Sequence, residues 1–92
     1  MKITYDPAKR ASNLAKHGLD FEDCIEVFAG ITLDQPDLRS DYSEPRFTTF
    51  GLLKSRLVIV IWTPREGSRR IISMRKANDR EKKNYRQRLG EG

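Results

Sequence analysis

The chain has 92 residues, with 18 Lys and Arg against 13 Asp and Glu, and its formal net charge is +5. This length suits one small domain with one core and excludes two, and a lone cysteine excludes an internal disulfide. The longest apolar run, residues 57–62, is far below the roughly 20 residues that span a bilayer, and the N-terminus lacks a secretory pattern. We therefore expect a cytoplasmic protein without a membrane segment, folded as a single domain over residues 1–92.

The charge is unevenly distributed along the chain. Residues 1–40 carry five basic and seven acidic residues, a balance of −2, whereas the remainder carries 13 basic and six acidic residues, a balance of +7. A strongly basic half indicates a polyanionic partner, nucleic acid above all. A solvated basic face without a ligand is the alternative that composition leaves open.

The first half of the chain predicts a short strand and two helices. Residues 1–5 favour a strand, and Asp6 and Pro7 favour the N-cap and first position of a helix that ends at Gly18. Apolar residues at helical spacing predict that this helix packs through Ala8, Ala11, Leu14 and Ala15, with Lys9, Arg10 and Lys16 largely facing out. A second amphipathic helix is predicted between Asp20 and Gly30, with a buried face of Phe21, Cys24, Ile25 and Phe28.

The second half predicts an antiparallel meander followed by a helix. A weak strand over residues 31–33 and a loop over residues 35–45 precede strands over residues 46–53, 57–63 and 69–75. The run 57–62 is apolar throughout, which is typical of a central strand covered on both faces. Asn78 and Glu81 predict a capping box for a last helix that continues to about Leu89 and packs through Ala77, Tyr85 and Leu89. The expected fold class is α+β.

The junction between the last strand and the last helix is the most informative segment for function. Alternation along the strand places Ile71, Ser73 and Arg75 on one face, and Arg70, Ile72 and Met74 on the other. A guanidinium can hold a phosphate through two parallel hydrogen bonds and stabilise the charge of a phosphorane-like transition state. Arg75 is therefore a candidate catalytic residue. Arg46, at the start of a neighbouring strand, is its candidate helper if the register points both side chains the same way.

Further candidates lie on the helices. Tyr85 can donate a proton or stack on a base if its hydroxyl faces Arg75, and anchoring the last helix is the alternative. His17 ends a helix, where capping of carbonyls competes with a catalytic role. The cations expected to position a nucleic-acid backbone are Lys76, Arg80, Lys82, Lys83 and Arg86. The sequence has no Cys/His cluster and no phosphate-binding glycine loop, so we expect neither a metal nor a cofactor.

Four segments in fixed order resemble the BrnT family of type II toxins over nearly the full chain: ITYDPAKRASNLAKHGLDFEDCIEVF, EPRFTTFG, VIVIWTPREG and RRIISMRKANDREKKNY. The resemblance implies a RelE-like fold and a metal-independent ribonuclease that arrests translation. It also implies a BrnA-type antitoxin, which binds the toxin directly and supplies DNA binding to the pair. The family's polar positions match Lys16, His17, Glu44, Arg46, Thr63, Arg75, Glu81 and Tyr85. Pro45 and Met74, beside the two arginines, depart from the family pattern.

The resulting hypothesis is a toxin whose RNA substrate is cleaved by attack of its own 2′-hydroxyl on the adjacent phosphate. Arg75, helped by Arg46, would stabilise the phosphoryl oxygens, and Tyr85, Glu81 and His17 are candidates for proton transfer in no fixed order. Two alternatives from other classes remain. One is a non-catalytic nucleic-acid-binding module, and the other is a regulatory protein whose basic face receives an acidic or amphipathic helix of a partner.

Overall fold

A computed structural model describes residues 2–37 and 43–90 and contains one mixed sheet with helices on both faces. The strands are β1 (Ile3–Thr4), β2 (Leu33–Pro36), β3 (Phe47–Leu53), β4 (Arg56–Arg65) and β5 (Ser68–Lys76). The helices are α1 (Pro7–His17), α2 (Cys24–Ala29) and α3 (Asp79–Arg88), and a 3₁₀ turn, Phe21–Asp23, leads into α2. None of the helices in this part of the chain is long and apolar enough to cross a membrane. Residues 38–42 of the predicted loop lie outside the described residues.

The order of strands across the sheet is β1-β5-β4-β3-β2. The predicted antiparallel meander is confirmed for β3, β4 and β5. The sheet is nevertheless mixed, because β1 pairs in parallel with β5. The predicted weak strand lies later than expected, since β2 begins at Leu33 and pairs with β3. Pattern alone did not reveal these pairings because both strands are short edge strands with few apolar residues.

The predicted capped starts of the first and last helices are confirmed, and the predicted cap Asp20 accepts from the N–H of Glu22 at the 3₁₀ turn before α2. The Asp6 carboxylate accepts a hydrogen bond from the N–H of Ala8 at 2.9 Å, and α1 ends at Gly18, whose φ of +70° favours glycine. At the start of α3, the N–H of Glu81 donates to the side chain of Asn78 at 2.8 Å, and the N–H of Asn78 donates to the Glu81 carboxylate at 2.9 Å. This reciprocal capping box fixes Glu81 next to the end of β5.

The sheet carries a core on each face, so the expectation of a single core was wrong, and β4 lies in the centre as predicted. The larger core lies under α1 and α2 and includes Phe21, Val27, Val60, Trp62 and Met74. The smaller core lies under α3 and consists of Leu57, Ile59, Ala77 and Tyr85, with Leu33, Phe50 and Leu89 packed against it. Cys24 is fully buried beside the sulfur of Met74, and burial raises the pKa of its thiol to about 12, which keeps it protonated and unreactive.

The buried face of α1 differs from the predicted one. The alanines of the predicted stripe are exposed and Leu14 is 46% exposed, whereas Asn13 is only 7% exposed. The Asn13 amide donates to the carbonyl of Leu19, and its oxygen accepts from the N–H of Met74 in β5, both at 3.1 Å. β1 pairs with only two residues of β5, so the rest of that edge of β5 has no neighbouring strand. α1 lies along this part of the edge, where Asn13 takes the place of a strand as the hydrogen-bond acceptor for the N–H of Met74.

Two further details of the helices were not predicted. Arg10 faces outward, with 40% of its side chain exposed, but it also forms two hydrogen bonds with Asp20, at 2.8 and 2.9 Å, which join α1 to the turn before α2. In the second helix, Val27 is buried and Ile25 is exposed. The 3₁₀ turn has fewer residues per turn than an α-helix, so the helix that follows it presents Val27 to the core instead of Ile25.

Candidate functional site

The face of the sheet under α3 is only partly covered, and a β-bulge decides which side chains it carries. Ser73 pairs with Ile61, but the next pair joins Trp62 to Ile71, so Ile72 is an extra residue in β5. The predicted alternation is therefore wrong beyond this point: Ile71 lies with the larger core, and Arg70 lies on the same face as Arg75. The bulge has no signature in the sequence, which is why Arg70 was missed as a site residue.

Arg46 and Arg70 flank Thr63 at one end of this face, where the Thr63 side chain is fully buried. Arg70 pairs with Thr63 of β4, and Arg46 directly precedes β3 on the other side, where the Thr63 hydroxyl donates to the Pro45 carbonyl. Glu44 lies beside them. Its pKa is held below the ordinary value first by a hydrogen bond from Arg65 and further by the charges of Arg46 and Arg70. This end of the face is therefore strongly positive, with one ionised carboxylate at its rim.

Arg75 and Glu81 form the second cluster of the face. Two parallel hydrogen bonds at 2.9 and 2.8 Å join the guanidinium of Arg75 to both oxygens of Glu81. The bond from Arg75, followed by that from the N–H of Asn78, lowers the pKa of Glu81 although partial burial acts in the opposite direction. The Arg75 side chain remains 41% exposed, so the fixed guanidinium is accessible from solvent.

The two clusters do not meet at one point. Arg75 pairs with Ile59, four residues along β4 from Thr63, and β3 lies two strand spacings from β5. With about 3.3 Å per residue and about 4.8 Å per strand, the backbones of Arg46 and Arg75 are roughly 16 Å apart. At this distance the two arginines are better placed to bind two different phosphates of one extended nucleic-acid strand than to bind the same phosphate.

The structure brings Glu81 to Arg75, but it places Tyr85 and His17 differently. Tyr85 is buried against the smaller core, and its hydroxyl donates to the carbonyl of Ile31 at 3.0 Å. This geometry matches the anchoring alternative for Tyr85. His17 is the last residue of α1 and is half-buried, in the layer that packs with the 3₁₀ turn rather than with α3.

The predicted cations of α3 divide between two sides of the helix. Lys82 and Arg86 border a groove beside β3, and the Lys82 amine lies 3.8 Å from Asp79. Arg80 and Lys83 are exposed on another part of the helix surface, and Lys76 is exposed at the end of β5. Among residues 2–37 and 43–90, no three His, Cys, Asp or Glu side chains are grouped closely enough to hold a metal ion.

Glu81→Gln is expected to reduce the loss of stability that the protein undergoes at low pH. A carboxylate whose folded pKa is depressed stabilises the fold above its unfolded pKa, and this contribution is lost as the pH falls through the folded pKa. The ordinary pKa is 4.5, so the unfolding free energy of the wild type should decline below that pH. Urea titrations at a series of pH values should show a shallower decline for Glu81→Gln. The control is Glu66→Gln in the exposed turn after β4, and equal slopes for both variants would contradict the proposed coupling.

An α+β domain with three arginines on an open sheet face beside a cationic helix has the features of a protein that binds polyanions. The model of the family described as the ribonuclease toxin BrnT of type II toxin-antitoxin systems matches residues 5–81. The chain belongs to this family, whose members are ribonuclease toxins with a protein antitoxin as partner. A search of curated proteins finds no match to the chain. The matched segment contains Arg46, Arg70, Arg75 and Glu81, and it ends before Tyr85.

Proposed function

We propose that this protein is a RelE-like toxin that cleaves RNA without a metal ion and thereby arrests translation. The 2′-hydroxyl of the RNA attacks the adjacent phosphorus, the bond to the 5′-oxygen breaks, and the products are a 2′,3′-cyclic phosphate and a 5′-hydroxyl. The observation that carries the proposal is Arg75, a fixed and accessible guanidinium on the open sheet face of a chain that belongs to a ribonuclease toxin family. The substrate is RNA, and DNA is contacted only through the antitoxin.

Arg75 is proposed to contact the reacting phosphate. Charge on the phosphoryl oxygens increases as the 2′-oxygen attacks, and a guanidinium stabilises that charge without losing its own proton. The two hydrogen bonds to Glu81 hold the side chain in one orientation before the substrate binds. Such preorganisation reduces the reorganisation needed in the transition state.

Arg46 and Arg70 are proposed to bind a neighbouring phosphate of the same strand. The backbone of Arg46 lies roughly 16 Å from that of Arg75, and this distance suits an extended RNA strand that follows the face. Lys76, Arg80, Lys82, Lys83 and Arg86 add a positive field that attracts the RNA, and this part of the affinity should decrease with salt. Arg46 then assists catalysis by positioning the strand.

Proton transfer is proposed to involve Glu81 as the base, with Tyr85 and His17 as the other candidates. Glu81 is ionised at neutral pH, which is the form that accepts a proton from the 2′-hydroxyl, although the bond from Arg75 that lowers its pKa also makes it a weaker base. The 5′-oxygen needs a proton donor as it leaves. Tyr85 can serve only if its hydroxyl leaves the Ile31 carbonyl when RNA binds, and His17 only if α1 contributes to the site.

The test is cleavage of end-labelled RNA by the purified protein, both with naked RNA and with translating ribosomes, in the presence and absence of EDTA. We expect cleavage at the same rate with EDTA, products with 2′,3′-cyclic phosphate ends, and no cleavage where a 2′-deoxynucleotide replaces the reacting nucleotide. Cleavage that EDTA abolishes and Mg²⁺ restores would overturn the metal-independent mechanism. RNA that is bound but intact under both conditions would favour the non-catalytic nucleic-acid-binding module.

A further inference from the structure

A groove of about 560 Å³ lies between α3, the segment before β2, and the turn that joins β3 to β4. Its apolar wall is formed by Ile31, Leu52 and Leu89. Four large hydrophobic side chains are exposed in the described part of the chain, and two of them are in this groove: Ile31 at 71% and Leu52 at 47% exposed. The hydrogen bond from Tyr85 to the Ile31 carbonyl fixes the wall against α3. We refer to this surface as the α3 groove.

The charged side chains of the α3 groove are all cationic. Arg56, Lys82 and Arg86 line it, and no acidic residue of the described chain does. An apolar wall bordered by cations complements a polypeptide segment that has apolar residues on one side and acids on the other. Tyr85, the aromatic residue in the lining, is buried and held by its bond to the Ile31 carbonyl. The exposed side chains Ile31 and Leu52 are aliphatic and provide no stacking surface for bases, so the groove fits such a segment better than it fits RNA.

We propose that the α3 groove receives an acidic amphipathic segment of the antitoxin. This inference rests on the toxin function, since it assigns a docking surface to the partner that a type II toxin has. The groove lies at the Leu57 end of β4, and Arg70 pairs with Thr63 at the other end. Six residues of strand separate the two positions by about 20 Å. The antitoxin segment therefore competes with the RNA for Lys82 and Arg86, and it does not cover Arg46 and Arg70.

The test compares two groove variants with two matched controls outside the groove. Ile31→Glu and Leu52→Glu place an acid on the apolar wall, whereas Leu14→Glu on α1 and Ile25→Glu on α2 make the same change at exposed positions elsewhere. The probe is the purified protein antitoxin of this toxin, and its Kd for each variant is measured together with RNA cleavage. We expect the Kd to rise at least about tenfold for both groove variants and to change less than about twofold for the controls.

A charge-reversed variant provides a second readout. Lys82→Glu combined with Arg86→Glu should weaken antitoxin binding and also reduce the dependence of that binding on salt. Ile31→Glu and Leu52→Glu should cleave RNA as the wild type does, which separates this proposal from the catalytic one. Antitoxin affinity that is equal in the groove variants and the controls overturns the proposal. So does a loss of affinity for uncleavable 2′-deoxy-substituted RNA in Ile31→Glu with antitoxin binding intact, because the groove would then belong to the RNA site.

Discussion

Arg75→Ala is expected to reduce RNA cleavage by about 100- to 1000-fold, the effect of removing one preorganised donor from a developing oxyanion. The loss should lie in the rate constant at saturating RNA. Binding of uncleavable 2′-deoxy-substituted RNA should weaken much less, since Arg46, Arg70 and the helix cations still attract the backbone. Single-turnover cleavage and fluorescence anisotropy measure the two quantities separately.

Two variants distinguish a contact with phosphate from a purely structural role of Arg75. Arg75→Lys keeps the charge but loses the two parallel hydrogen bonds, so it should recover part of the activity. Arg88→Ala removes an exposed arginine from the same region and should retain wild-type cleavage. The melting temperature of each variant is measured alongside, because Arg75→Ala also leaves Glu81 without its bidentate partner. An Arg75→Ala protein that folds and still cleaves RNA at the wild-type rate would remove Arg75 from the mechanism.

Local signals in the sequence were sufficient for the parts of the fold that depend on neighbouring residues. Asp6 and Gly18 bound α1, and Asn78 with Glu81 begins α3, because capping bonds form within four residues along the chain. The apolar run in β4 also predicted its central position, since a strand buried on both faces has no polar side. These features can therefore be predicted from neighbouring residues without knowledge of contacts between distant segments.

The features that escaped prediction depend on contacts between distant segments. The polar Asn13 is buried because β5 has an unpaired edge beyond β1, and helical periodicity contains no information about that edge. The bulge at Ile72 turns Arg70 onto the open face, and strand alternation predicted the opposite. Arg75 and Arg46 were found as candidates from the sequence, but their separation by β4 required the strand order.

Asn13→Leu is expected to destabilise the protein by about 2–4 kcal/mol, although it replaces a polar residue with an apolar one of similar size in a buried position. The substitution leaves two buried backbone groups without the partner that Asn13 provides, the carbonyl of Leu19 and the N–H of Met74. Each such group costs about 1–3 kcal/mol when it is left unsatisfied, and the gain from burying a leucine offsets part of this loss. Guanidinium chloride titration with intrinsic tryptophan fluorescence measures the change.

The control and a second variant test whether the two hydrogen bonds are responsible. Asn84→Leu makes the same change at an exposed position of α3 and should alter stability by less than about 0.5 kcal/mol. Asn13→Asp keeps an acceptor for the N–H of Met74 but faces the Leu19 carbonyl with a carboxylate, which can donate only when it is protonated. Burial should raise the pKa of the new carboxyl, so Asn13→Asp should become more stable relative to the wild type as the pH falls from 7 toward about 5. If Asn13→Leu lowers the free energy of unfolding no more than Asn84→Leu does, the two hydrogen bonds of Asn13 do not stabilise the fold. Water would then satisfy the Leu19 carbonyl and the Met74 N–H equally well.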